Sequence, residues 1–343
     1  MASLVRFGIV ACVGGMALVA GGCSTNPTTG RSQLTFGGLN RDQEVAIGLS
    51  EGPKLTQEFG GEVQNPNLRA YITEVGMKLK DQTEVDGPTR AWTFTLLDSD
   101  VINAFALPGE RVFMSRGLAD KLTTEAQLAG VLGHETGHVM ARHTSERIAQ
   151  SNVIGIGAAV VGAVAGAATK NDAIAQGIPA IAGAGGQVIV LKFSREQESE
   201  ADSLGMRYMA KAGYNPHGQL EVMQVLKAAS GSGGGTPEIL ATHPLPETRI
   251  QRVTQELNST YASTQSGPQQ GNYQDFADRY RQRYLGLRSL EPKAPAKAKK
   301  KAEAPVDEHG RARLLATIDE EDPTTWCAVC RVNAEMAKIA TTP

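Results

Sequence analysis

The chain has 343 residues, of which 41% are hydrophobic and 20% charged; this excludes a wholly disordered polymer and suffices for one large domain with appendages. Its 34 basic residues nearly cancel 36 acidic ones, leaving a net charge of −2. There is no basic excess to release counterions from a phosphate backbone, which argues against a nucleic-acid partner. Four cysteines are too few for a disulfide scaffold, so their placement carries the information.

Residues 1–22 carry one charge, Arg6, followed by an apolar run from Phe7 to Ala20, the pattern of a secretory signal. The run ends in Val19-Ala20-Gly21-Gly22-Cys23 and then polar Ser24, which resembles a bacterial lipobox with Ala20 where leucine is usual. Cys23 is therefore the lipidation candidate. An ordinary cleaved signal and an uncleaved anchor are the alternatives, although the run falls short of the ~20 residues a bilayer core needs. Ser24, in place of an aspartate after the cysteine, points to the outer membrane if the host is Gram-negative. The mature protein would then be tethered by acyl chains and face the periplasm.

Residues 23–40 read as an extended tether, and 41–290 as the main domain. Two helices are predicted over 41–59 and 67–83, the second from Leu68, Ile72, Val75, Met77 and Leu79 near helical spacing. Three short strands follow, over 91–97, 101–107 and 111–115, and are expected to form one small antiparallel sheet. From Thr124 onward the pattern is mostly helical. The stretch 151–190 is rich in glycine and alanine and too weakly apolar for a convincing membrane span; closely packed helices or loops compete with a flap or membrane-facing hairpin. Residues 291–306 form a lysine-, alanine- and proline-rich linker, and 307–343 a tail with Cys327 and Cys330 in a CxxC. No thioredoxin-sized domain surrounds that pair. A local disulfide is the expectation there, with metal or redox roles as alternatives.

The chemistry sits in Leu132-Gly133-His134-Glu135-Thr136-Gly137-His138, an HExxH in a helix that Thr124 and Gln127 would cap. His134 and His138 lie one turn apart on the same face, so both imidazoles can reach one tetrahedral ion. Glu135 lies about 100° round, placed to hold a water on that ion. Apolar neighbours Leu128, Val131, Leu132 and Val139 argue against a solvated histidine pair. A third ligand is sought in Glu198-Ser199-Glu200-Ala201-Asp202, where Glu198, Ala201, Asp202 and Gly205 fall on one helical stripe. Glu198 is the expected ligand, Asp202 the acceptor for a ligand histidine's outer nitrogen, and the two small residues permit close helix approach. Glu200 falls on the opposite face and reads as a solvated charge. His143 is a poor fourth ligand, about 140° round from one fixed face, and reads as structural; His217 and His309 read as surface residues.

These pieces, in this order, resemble the zinc metallopeptidase family that includes the CAAX prenyl protease and the heat-shock protease HtpX, and within it the periplasmic lipoprotein branch. The resemblance is carried by Asn26-Pro27-Thr28-Thr29-Gly30-Arg31, by Val101 to Gly109, by the HExxH with Ala141-Arg142-His143, by Glu198 to Asp202, and by Thr242-His243-Pro244-Leu245-Pro246-Glu247-Thr248-Arg249. It spans roughly residues 23–260 and departs at Glu110, where a second glycine is usual. It implies Glu198 as ligand, His243 and Arg249 near the reacting centre, and Asn103, Ala104 and Phe105 on an edge to which a substrate strand adds. It also implies quality control of misfolded or unassembled envelope proteins, with the outer-membrane assembly machinery as a partner. The expected fold is α+β, mainly α, a zincin-like domain with a small antiparallel sheet and an HExxH helix. The expected activity is that of an endopeptidase with one Zn2+ per chain. His243 or Arg249 would stabilise the oxyanion, or His243 would instead bind the metal and keep the enzyme latent. Two other readings remain: an assembly or chaperone lipoprotein with a zinc site and little proteolysis, and a zinc hydrolase of non-peptide substrates.

Overall fold

A computed structural model describes residues 23–34, 38–150, 192–231, 236–266 and 270–290. The signal segment, the glycine- and alanine-rich stretch, the linker, His309 and the CxxC pair Cys327 and Cys330 lie outside the described residues.

Helix α1 (Arg41–Glu58) starts from a capping box in which Asn40 accepts from the Gln43 amide and the Gln43 side chain closes back on Asn40. Helix α2 (Pro66–Lys80) starts with Asn65 as cap and proline in the first turn, which fixes φ where no amide partner is needed. It buries Leu68, Tyr71, Ile72, Val75 and Leu79; Met77 falls off that stripe and is exposed.

The strands are β3 (Thr93–Leu97), β4 (Ala104–Leu107) and β5 (Arg111–Ser115), following an N-terminal pair described below. They form one sheet in the order β3-β5-β4, with β4 and β5 antiparallel but β3 and β5 parallel. The expected antiparallel sheet is thus mixed. Residues 98–103 carry the chain past β5, so the hairpin folds back between β3 and β4. Arg116, just beyond β5, donates to Asp98, just beyond β3, at 2.7 Å, clamping the two strands at the same end. The consequence is that β4 stands at an edge.

The β4–β5 turn needs two left-handed residues, Gly109 at φ 79° and Glu110 at φ 60°. A Cβ on Gly109 would lie 2.8 Å from the Glu44 carbonyl oxygen, so only glycine fits there. Glu110 costs roughly 1–2 kcal/mol in that conformation, which is offset by burial between Arg41 and Arg90.

Behind a short helix α3 (Arg116–Ala119), the central helix α4 (Glu125–Met140) is buried along nearly its whole length. Thr124 caps it, accepting from the Gln127 amide at 3.1 Å. The Gln127 side chain closes on the Thr123 amide, one residue earlier than a capping box requires. Around α4 pack α2, α5 (Arg195–Lys211) and α6 (His217–Gly231); α7 (Ile239–Thr242) follows, and α8 (Glu247–Asn258) packs against α5 and α6. Helix α9 (Ala262–Gln265) follows, and α10 (Ala277–Tyr280) runs on into a π-turn that brings Tyr280 and Tyr284 into the core. Among the described residues no helix is long and apolar enough to cross a membrane.

Residues 23–34, expected to form an extended tether, fold instead into an antiparallel pair, β1 (Cys23–Thr25) and β2 (Ser32–Leu34). Asn26 donates to the Met140 carbonyl at 3.2 Å and Gln33 to the Ala141 carbonyl at 2.6 Å. Both bonds satisfy carbonyls that the end of α4 leaves without helical partners. The docking is made by polar side chains, so hydrophobic patterning carries no trace of it.

Candidate metal centre

Helices α4 and α5 meet through small residues. A Cβ on Gly205 would come within 2.9 Å of the His134 amide nitrogen, and one on Gly137 within 2.8 Å of the Ala201 carbonyl. That approach brings His134, His138 and Glu198 together. The turn after α7 adds His243, whose amide bonds the Ile239 carbonyl at 2.8 Å. One donor atom from each of these four side chains lies within 4.8 Å of all the others, and all four residues are buried. Ligand atoms on a tetrahedral zinc stand about 3.3 Å apart. Observed separations of 3.0 Å for His138 Nε2 to His134 Nε2 and 3.4 Å for His138 Nε2 to Glu198 Oε1 bracket that spacing.

The donor set fits a zinc ion, and Glu135 supplies a further test. Its carboxylate is 1% exposed, and neither oxygen has a hydrogen-bond partner among the described residues. A buried, unbonded carboxylate is costly unless something is to be held there. Burial pushes Glu135 above the usual carboxylate range, against the opposing pull of His243 and His134. Burial, joined by the neighbouring His134 and His143 and opposed by Glu198, holds His138 well below the ordinary histidine value, which keeps a lone pair available. For Glu198 burial works to raise the pKa, but Arg249 and His243 outweigh it and hold the group well below its usual range.

Asp202, one turn beyond Glu198, takes the expected place: its Oδ1 accepts from His134 Nδ1 at 2.9 Å, leaving Nε2 to face the cluster. Gln219 donates to the same oxygen at 2.7 Å. Arg249, expected as an oxyanion donor, is committed elsewhere. Its Nε and Nη2 donate to Asp202 at 2.6 and 2.8 Å, and Nη1 reaches the Pro244 carbonyl at 3.3 Å and pairs with Glu198. It holds the carboxylates behind the cluster.

Asn103, Ala104 and Phe105 line up at β4, but their side chains are turned inward. Asn103 Nδ2 donates to Glu238 at 2.9 Å, Ala104 is fully buried, and Phe105 stacks on Phe113 at 4.9 Å. What the strand offers is backbone.

Two features escape sequence reasoning. Phe193 lies against His138, ring centroids 4.2 Å apart, and against His243 at 5.2 Å. Glu200, expected as a solvated charge, is half-buried and accepts from His143 Nε2 at 2.9 Å. Burial works to raise its pKa, yet His143 and Arg31 hold it below the usual value. His143, read in the sequence as structural, is fully buried, with its Nδ1 2.8 Å from His138 Nδ1. His217 is partly exposed beside Glu221 at the start of α6. Cys23 is an exposed free thiol.

The profile of peptidase family M48 matches residues 66–257, which include all four donor residues, Glu135 and Asp202. The chain belongs to peptidase family M48. Members of family M48 are metal-dependent peptidases, and the cluster around His134 is the matching centre in this chain. Relatives are the β-barrel assembly-enhancing protease of Escherichia coli, 30% identical over 198 residues, and the mitochondrial metalloendopeptidase OMA1 of Schizosaccharomyces pombe, 29% over 223 residues. The OMA1 of Saccharomyces cerevisiae is 25% identical over 289 residues, covering 76% of this chain and 80% of its own. The aligned region is 57% of this chain but only 40% of the E. coli protease, and 65% and 63% for the fission-yeast pair.

Proposed function

We propose that this M48 peptidase is a zinc endopeptidase, lipid-anchored through Cys23 to the outer membrane and facing the periplasm, that hydrolyses misfolded or unassembled envelope proteins. The Glu135 carboxylate, without a hydrogen bond among the described residues and set beside a buried His134–His138–Glu198 cluster, carries the reading. Zinc there supplies a Lewis acid for the scissile carbonyl and lowers the pKa of a bound water. Glu135, its basicity raised by burial, takes the proton of the attacking water and returns it to the leaving amine. Asp202 fixes the orientation of His134, and Arg249 holds Glu198 and Asp202 in place. The backbone of β4 along Asn103–Ala106 takes the substrate as an added strand, consistent with its place at the sheet edge.

His243 belongs to the donor cluster and is 3% exposed, which favours a resting enzyme whose fourth position is filled by protein. Low basal activity then reflects latency, in contrast to a scaffold lipoprotein that has given up proteolysis. Envelope substrates, and the outer-membrane assembly machinery as a partner, are motivated by the lipobox-like segment and by the name of the E. coli relative, a β-barrel assembly-enhancing protease. The test is incubation of the purified mature chain with a reduced, unfolded protein, with and without chelator, and mapping of the products. Chelator-sensitive cleavage at internal peptide bonds is expected; chelator-insensitive cleavage, or none from either a zinc-loaded wild-type preparation or one lacking the His243 side chain, overturns the assignment.

A further inference from the structure

The two histidines of the HExxH are steadied in different ways. His134 Nδ1 meets a carboxylate directly, Asp202 at 2.9 Å. His138 Nδ1 meets a second imidazole, His143 Nδ1 at 2.8 Å, and that imidazole meets Glu200 at 2.9 Å through its other nitrogen. Glu200 is in turn gripped by Arg31 Nε at 3.1 Å, while the two terminal nitrogens of Arg31 pair with Glu146 at 2.8 and 2.7 Å.

The proton positions in this chain follow from the end that cannot donate. An ionised carboxylate only accepts, so His143 Nε2 carries a hydrogen and gives it to Glu200. A neutral imidazole then has an unprotonated Nδ1, which accepts. The only hydrogen available to the 2.8 Å contact is therefore on His138 Nδ1. A neutral His138 with its proton on Nδ1 presents a bare Nε2, the atom that faces His134 and Glu198.

We propose that Arg31, Glu200 and His143 form a positioning relay that fixes the tautomer and ring orientation of His138 for metal binding, so that the N-terminal hairpin forms part of the metal site. This rests on the metallopeptidase reading above. The relay reaches across three separate parts of the chain. Arg31 lies on the hairpin only eight residues beyond Cys23, His143 just past the end of α4, and Glu200 on α5. Glu146 and Gln197 complete the support, Gln197 donating to Glu146 at 2.9 Å. Among the described residues none of the three positioning residues hydrogen-bonds Glu135 or a donor of the cluster other than His138, so their polar effect passes through His138.

The experiment measures zinc affinity of the full chain by competition with a chromogenic chelator, alongside nitrogen-15 spectra of the histidine rings in the metal-free protein. Wild type should show His138 protonated on Nδ1 and His143 on Nε2. Replacement of a partner that orients a metal-bound histidine lowers affinity by about 10–100-fold, and that loss is expected for H143F and for E200A. R31A, a change at a partly exposed side chain, should give a smaller loss in the same direction, and E200D should recover part of what E200A loses. The ring spectra of E200A should show His138 as a mixture of tautomers, which a merely structural role would not produce. Zinc bound equally tightly by wild type, E200A and H143F, or a wild-type His138 protonated on Nε2, overturns the relay while leaving the peptidase reading intact. A wild-type chain that binds no zinc, or whose zinc is unaffected by H138A, overturns the peptidase reading and the relay with it.

Discussion

His243 Nδ1 lies 2.9 Å from Glu198 Oε1, although the two residues approach the centre from different elements, the turn after α7 and the first turn of α5. Prolines at 244 and 246 stiffen the chain beyond His243, and Phe193 covers its ring from the other side. For a metal held by His134, His138 and Glu198, as proposed above, the imidazole would sit where an incoming carbonyl oxygen or water would otherwise bind. Removal of the side chain as His243→Ala should therefore raise basal cleavage of an unfolded substrate severalfold and leave zinc stoichiometry at one per chain. Cleavage that falls sharply with zinc retained would make His243 a transition-state donor in place of a plug.

Glu135 makes no hydrogen bond among the described residues and only a long contact to His243 Nε2 at 3.8 Å, so Glu135→Gln removes no structural hydrogen bond. The amide cannot accept the proton of the attacking water. A fall in kcat of about 10²–10⁴-fold is expected from loss of a general base, with zinc content and thermal stability close to those of wild type. Wild-type rates in zinc-loaded Glu135→Gln would remove Glu135 from the mechanism.

How far the centre is legible in the sequence depends on whether its parts share a helix. His134, Glu135 and His138 follow from one turn of helix geometry, and Glu198 with Asp202 from the next such turn on α5. Glu200 shows the limit of that method. It does point away from Glu198, as a step of about 200° requires, but the face it occupies is covered by the hairpin and by residues 143–150, and no periodicity within α5 encodes that cover. The same holds for the sheet. Residue preference marks β3, β4 and β5 individually, with alternation in β3 alone, whereas the parallel pairing of β3 with β5 is set by the path of residues 98–103 and the Arg116–Asp98 clamp.

Glu198 and Asp202 should separate by their effects on metal. Glu198→Ala deletes a donor atom and strands Arg249 with half of its charge partners, so loss of zinc is expected even at excess metal. Asp202→Ala leaves all four donors but frees His134 Nδ1, and affinity should fall by about 10–100-fold. Equal affinity in the two variants, measured by chelator competition, would mean that Glu198 is not a ligand.

Cys23 begins β1 and is exposed, so an acyl chain on it would meet no packed neighbour. Cys23→Ser should abolish incorporation of labelled palmitate and release the chain from the membrane fraction. Because Asn26, Gln33 and Arg31 still dock the hairpin, zinc affinity of that variant should match wild type. Absence of label from the wild-type chain would remove the lipoprotein reading.

Gly205 tests whether the metal centre depends on the close approach of α4 and α5. A methyl group there would come within 2.9 Å of the His134 amide nitrogen and 3.0 Å of the Gly133 carbonyl carbon, both backbone atoms of a helix buried along its length. Neither can swing aside as a side chain could, so the helices must separate. Overpacking of this kind costs about 1–3 kcal/mol. Gly205→Ala is therefore expected to lower the urea midpoint of unfolding and, because the contact falls at His134 itself, to weaken zinc binding as well. The two effects should be coupled: zinc added in excess should restore part of the lost stability, since metal binds only the folded arrangement. A Gly205→Ala chain with wild-type midpoint and zinc affinity would show that the helices meet less closely than the His134–Gly205 contact requires.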